Sequence, residues 1–403
     1  MTTKLPTTLL ECIHINLSKE FIQIREKQKQ LFTSKFINLW YTIYSYQVED
    51  YTENLKYFTN ISRENLRHFK VTFKGIRYQY DDLINFLAEW AVLEVNHKYC
   101  YNKNKSNHRS FTKSYRVKTG FLKNTNMSEV KIDFEKIFGN TRNKEFWLEK
   151  YPNYTSMIQD CYNTTIDLDG FVHWLYENEG TELKYKMIKG SVVMTYLTTE
   201  RIIRYINQVL KFHYKNLWFK ISDEGRFYSS LTNLPSKSIK FLKLNGKKLV
   251  ELDVKNCQPL LLSYLINHPA YKIDVENGVF YDKMAKALDL KRVEFKLFSY
   301  RYIFFPNTHL KSGKIYNTLN NHYPGLIGEI NNLKKETNLA LTLQKLESDI
   351  FVQKIGKLPF GKITRHDSVL VLNENSAFFE MCIKKEFSKL GLKVNVEEKK
   401  YLP

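Results

Sequence analysis

The sequence predicts an α+β protein with a mostly helical first half and a second half that mixes short strands with helices. Three observations carry this expectation. The 403 residues are 43% hydrophobic with only 15 Gly and 9 Pro, a composition of packed chain rather than disorder. Up to about residue 220, apolar residues recur at helical spacing. After about 221, β-type runs such as "LVELDV" and "ITRHDSVLVL" appear between helices. A boundary near 215–220 therefore divides a helical region, 1–220, from a mixed region, 221–403.

Charge narrows the class of partner. A formal net charge of +20 favours a polyanion, with nucleic acid ahead of a membrane surface. AT-rich coding, which inflates Lys, Asn, Tyr, Phe and Ile together, is the competing explanation. The five cysteines stand far apart, without the paired spacing of a zinc site or a disulfide framework. No apolar run reaches the roughly 18 residues that span a bilayer. The expectation is a monomeric protein of the cytoplasm, in a bacterial or phage-infected cell, with no membrane partner.

The elements follow in order. "FIQIREKQKQLFTSKFINLWYTIY" and "YQYDDLINFLAEWAVLEVNH" read as amphipathic helices. Residues 98–118, "KYCYNKNKSNHRSFTKSYRVK", are basic and studded with aromatics. That mixture suits contact with nucleic acid, cations on phosphates and rings on bases, and it equally suits a solvated loop. Residues 140–220 read as mostly helical, for example "TTERIIRYINQVLKFHYKNLWFK". In "SDEGRFYSSLTNLP", Gly225 marks a turn that presents Arg226 beside aromatic rings.

Four features of the second half bear on chemistry. In "KLVELDVKNCQPLLLSYL" a buried-type strand carries the carboxylate Asp253, two residues after Glu251, and a buried acid is costly unless something pairs with it. Capping of the next helix is the competing role. In "KRVEFKLFSYRYIFFP" Arg292, Lys296 and Tyr300 fall four apart, with Phe304 completing the face, so two cations and a ring line one helical side. "GKITRHDSVLVLNE" reads as a hairpin whose polar tip is His366-Asp367-Ser368, between unusually apolar strands. Two strand-borne carboxylates with a cationic helix between them in the chain fit two-metal phosphoryl transfer, in which acids bridge the ions and cations hold the leaving pyrophosphate.

In this order the motifs of the C-terminal half resemble the family A polymerases, which comprise bacterial replication and repair DNA polymerases and the single-subunit RNA polymerases of phages and mitochondria. Asp253 matches the metal-binding Asp of the first palm motif. Arg292 and Lys296 match the fingers helix, whose Tyr-Gly is Phe304-Phe305 here. His366-Asp367-Ser368 matches the last palm motif. Arg226 falls in the Gly-Arg motif upstream of the palm, and in "LQKLESDI" Gln344 and Asp349 keep the spacing of the duplex-touching helix. The resemblance covers about 150 residues and nothing before about 220. Gln258 stands where DNA polymerases of the family place a Glu.

The resemblance implies a right-hand polymerase with a palm, small fingers inserted at about 265–350, and an N-terminal thumb-like or accessory region that binds nucleic acid. It implies that Asp253, Asp367 and the Val254 carbonyl hold two magnesium ions, with manganese as a substitute. Asp253 and Asp367 would be catalytic. Arg292, Lys296, Tyr300, Phe304 and Gln258 would bind the nucleoside triphosphate, and Arg226, Gln344 and His366 the template or primer–template duplex. The implied activity is template-directed addition of nucleotides to a 3′-hydroxyl, with a lean to an RNA product. A DNA polymerase from a phage or other mobile element is the alternative. A nuclease or other metal phosphotransferase, and a catalytically inactive nucleic-acid-binding replication protein, are the readings from other classes.

Overall fold

The computed structural model describes residues 2–50, 59–61, 66–96, 114–118, 127–133, 142–188, 190–306 and 308–401. It divides into one unit of residues 1–139 with 198–214 and another of 140–197 with 215–403. One division, at 214/215, falls beside the boundary expected near 215–220, but residues 140–197 lie in the second unit. Residues 140–197 belong with the C-terminal chain for two physical reasons. Their strand Thr164–Ile166 pairs with Leu242–Leu244 to extend the main sheet. Their helix Thr155–Asn163 presents Asp160 3.6 Å from Lys362 Nζ, and the Lys362 side chain is only 1% exposed.

The first unit packs the helices Thr7–Glu20, Glu26–Asp50, Tyr80–Glu89 and Thr199–His213 with small sheets. Apolar residues one turn apart explain the helices: Leu9, Ile13 and Leu17 are buried in the first, and Phe36, Trp40 and Tyr44 in the second. The long helix expected over "YQYDDLINFLAEWAVLEVNH" ends at Glu89, where Ala91 turns to φ 59°, and the chain continues as the strand Leu93–Asn96. Residues 98–113 of the basic stretch lie outside the described residues. Its end, Ser114–Val117, is a strand in which Tyr115 is buried and Arg116 pairs with Glu94.

The second unit is built on the strand Lys247–Val254. It pairs antiparallel with Ser368–Leu372 on one side, and with Leu242–Leu244 and then Val396–Lys400 on the other. Lys362–Arg365 closes the hairpin at one end of this six-stranded sheet. The run "LVELDV" is a strand because it is apolar and β-branched, and it is central because four consecutive residues, Leu249–Leu252, are buried. Helix Ser376–Lys389 lays Phe379, Ile383 and Phe387, spaced one turn apart, against that sheet. Seven further helices, from Cys257–Leu265 to Leu339–Phe351, share the same core. The stretch 140–220, expected to be mostly helical, also holds the hairpin Glu182–Ile188/Ser191–Tyr196, which turns at Gly190 with φ 89°. Likewise "TTERIIRYINQVLKFHYKNLWFK" is helical only over Thr199–His213 and ends in the strand Phe219–Ile221.

Candidate active site

Antiparallel pairing brings the two predicted acids together. Asp253 stands opposite Ser368 in the ladder, one residue from Asp367 at the hairpin tip. The amide of Val254 donates to the Asp367 backbone carbonyl at 3.2 Å. The tip is a two-residue turn between Arg365 and Ser368, which pair directly, and His366 takes the left-handed conformation, φ 55°, that such a turn demands. Asp253 does not cap the helix that follows. The capping position belongs to Asn256, itself left-handed and making no side-chain cap bond.

Asp253, Val254 and Asp367 line a cleft of about 420 Å³, shared with Arg292, Lys296 and Tyr300. The cations come from helix Arg292–Ser299, whose first turn is fixed by Glu294 accepting from the Lys291 amide at 2.8 Å. Arg292 Nε donates to Asp282 Oδ2 at 3.2 Å on the cleft rim. Burial first, and then the charge of Asp253, push the Asp367 carboxyl up to about 6, while Lys296 opposes the shift. Asp253 already holds a cation: Lys399 Nζ donates to its Oδ2 at 2.6 Å.

Phe304 does not join this face. After Ser299 the helix widens into a π-turn over Tyr300–Phe304, closed by the Phe305 amide donating to the Tyr300 carbonyl at 3.0 Å. An i→i+5 turn inserts a residue relative to the α period, so a position four beyond Tyr300 rotates off the cleft. Phe304 is 1% exposed and belongs to the core, while Phe305 is exposed with its ring 5.0 Å from that of Tyr300.

Gln258 is also absent from the cleft wall. It is 4% exposed, the second residue of helix Cys257–Leu265, and its Nε2 donates to Glu347 Oε2. Arg226 Nη2 donates to the other oxygen of Glu347 at 2.7 Å. Sequence reasoning missed Glu347. The signal was present, because a carboxylate sits on the buried stripe of Leu339–Phe351 between Leu343 and Phe351. Gln344 is half-buried on the same helix, and His366 packs its ring 5.6 Å from that of Tyr228. Lys399 and Glu397, also on the cleft, were missed because "VEEKK" reads as a solvated charge run.

Among the described residues, no group of three or more His, Cys, Asp or Glu side chains is arranged to hold a metal. The carboxylates that line the cleft are Asp253, Asp367, Glu397 and Asp282, the last paired with Arg292. Hard oxygen donors in that small number suit magnesium, which keeps waters and takes further ligands from a substrate's phosphates. The Lys399 ammonium on Asp253 shows that this pair attracts positive charge, and oxygen donors of this kind are those such an ion would use. No helix among the described residues is long and apolar enough to cross a membrane.

No family model matches the chain, and no curated protein matches it. Among solved structures, the chain has a likeness to the POL domain of Pol1 from M. smegmatis in a complex with DNA primer-template and dNTP, with a TM-score of 0.35 at 11% identity. That likeness covers 63% of this chain and 72% of the other.

Proposed function

We propose that the protein is a template-directed nucleotidyltransferase that extends a nucleic-acid 3′-hydroxyl with nucleoside triphosphates. The observation that carries this reading is the meeting of Asp253 and Asp367 at one cleft with Arg292, Lys296 and Tyr300. Asp253, Asp367 and the Val254 carbonyl would hold two divalent ions. When bound, those ions supply Lewis-acid activation of the attacking hydroxyl and neutralise the triphosphate. Lys296 and Arg292 act as the phosphate clamp, charge meeting charge in a partly enclosed cleft. Tyr300 offers its ring to the incoming base or sugar. Gln258 donates its Nε2 to Glu347 and does not line the cleft that would hold the triphosphate. The motifs lean to an RNA product, with a DNA product as the alternative.

The test offers purified protein, magnesium and either ribo- or deoxyribonucleotides on single-stranded DNA and RNA templates, with and without primer. Asp253→Asn or Asp367→Asn is expected to abolish incorporation, by at least roughly a thousandfold, while nucleic-acid binding persists. Incorporation at the wild-type rate in either variant overturns the assignment. Lys296→Ala is expected to raise the triphosphate concentration required far more than it weakens duplex binding. An unchanged triphosphate dependence removes Lys296 from the clamp.

A further inference from the structure

The last strand of the fold carries a cation onto the acidic pair. Val396–Lys400 pairs antiparallel with Lys247–Val254, setting Glu397 opposite Asp253 and Lys399 opposite Glu251. Side chains two apart on a strand share a face, so Glu251, Asp253, Glu397 and Lys399 project from the same side. Glu251 is committed elsewhere. It accepts from Ser368 Oγ at 2.7 Å and from the Tyr401 hydroxyl. Lys399 Nζ reaches Asp253 Oδ2 at 2.6 Å, from a side chain that is still 40% exposed. Glu397 lies 4.0 Å from Lys255 and also lines the cleft.

We infer that Lys399 is a built-in counter-ion of Asp253, which a divalent cation must displace before Asp253 and Asp367 can hold it together. The inference rests on the proposed role of those two acids. An ammonium and a divalent ion on the same carboxylate repel strongly at such a short range, so they exchange rather than coexist. Glu397, on the same face, gives the displaced ammonium a carboxylate to meet. Lys399 thereby raises the threshold for a bare cation. A cation that arrives with a polyphosphate is favoured, because its own negative charge offsets the repulsion from the lysine.

Manganese binding to the full-length protein, without nucleotide or nucleic acid, tests this by paramagnetic resonance or calorimetry. Lys399→Met is expected to bind manganese roughly tenfold or more tightly than the wild type, a gain of about 1.4 kcal/mol per factor of ten. Lys399→Gln repeats the measurement with a polar side chain should the methionine variant fold poorly. Lys399→Arg keeps the charge and is expected to bind as the wild type does. Unchanged or weaker binding in both neutral variants overturns the role of Lys399. The acidic pair is judged separately. If Asp253→Asn and Asp367→Asn leave manganese binding as it is in the wild type, the pair itself is not a cation site, whereas loss in those variants without gain in Lys399→Met removes only the counter-ion.

Discussion

Arg226 and Gln258 show how a single buried residue redirects its neighbours. Motif spacing assigns Arg226 to a duplex and Gln258 to a nucleotide, yet both side chains converge on Glu347, which is 2% exposed. Burial pushes the Glu347 carboxyl up to about 7, against the opposing attraction of Arg226. Because the folded value lies above the ordinary 4.5, its contribution to stability is complete below about pH 4.5 and is lost as pH rises through 7. Arg226→Ala leaves the acid without its cation. It is expected to cost roughly 3–5 kcal/mol at pH 8, where the carboxylate is charged, and less at pH 5, where it can keep its proton. Urea denaturation at the two pH values measures the difference; equal losses would show that Arg226 acts only through packing. Asp253 and Asp367, by contrast, are legible in the sequence. Asp253 reads as an acid on a β-type run and Asp367 as part of a hairpin tip, and the structure puts them on the strand Lys247–Val254 and in the turn before Ser368–Leu372.

At the scale of elements, the hairpin Lys362–Arg365/Ser368–Leu372 follows directly from its apolar flanks and polar tip. The cationic helix follows only as far as Ser299, because periodicity assumes a constant turn and the π-turn breaks it. The consequence separates two neighbouring rings. Phe304→Ala is expected to destabilise the second unit by about 3–5 kcal/mol, as for a large core truncation, and to leave the triphosphate requirement alone. Tyr300→Ala, on the cleft, is expected to raise that requirement with a smaller loss of stability. Denaturation midpoints set beside nucleotide titrations decide it, and the reverse pattern would return Phe304 to the site.

Across the whole molecule, the chain leaves and re-enters the second unit, so no single cut in the sequence separates the two units. A fragment of residues 221–403 lacks the strand Thr164–Ile166 and leaves Lys362, 2% exposed, without Asp160. It is expected to unfold at a markedly lower urea concentration than residues 140–403, since an orphaned buried charge alone costs several kcal/mol; equal midpoints would make the N-terminal segment dispensable to the sheet. Legible along the chain is what local pattern encodes: the α+β texture, the strand under Asp253, the tip under Asp367 and the cations of the Arg292 helix. Which groups meet is set by the fold. Lys399 lies on Asp253, Glu347 beneath Arg226 and Gln258, and Asp160 against Lys362, because strand pairing and helix packing join residues that are remote along the chain. Periodicity reports which face a side chain takes, and contact across the fold sets what that side chain finds there.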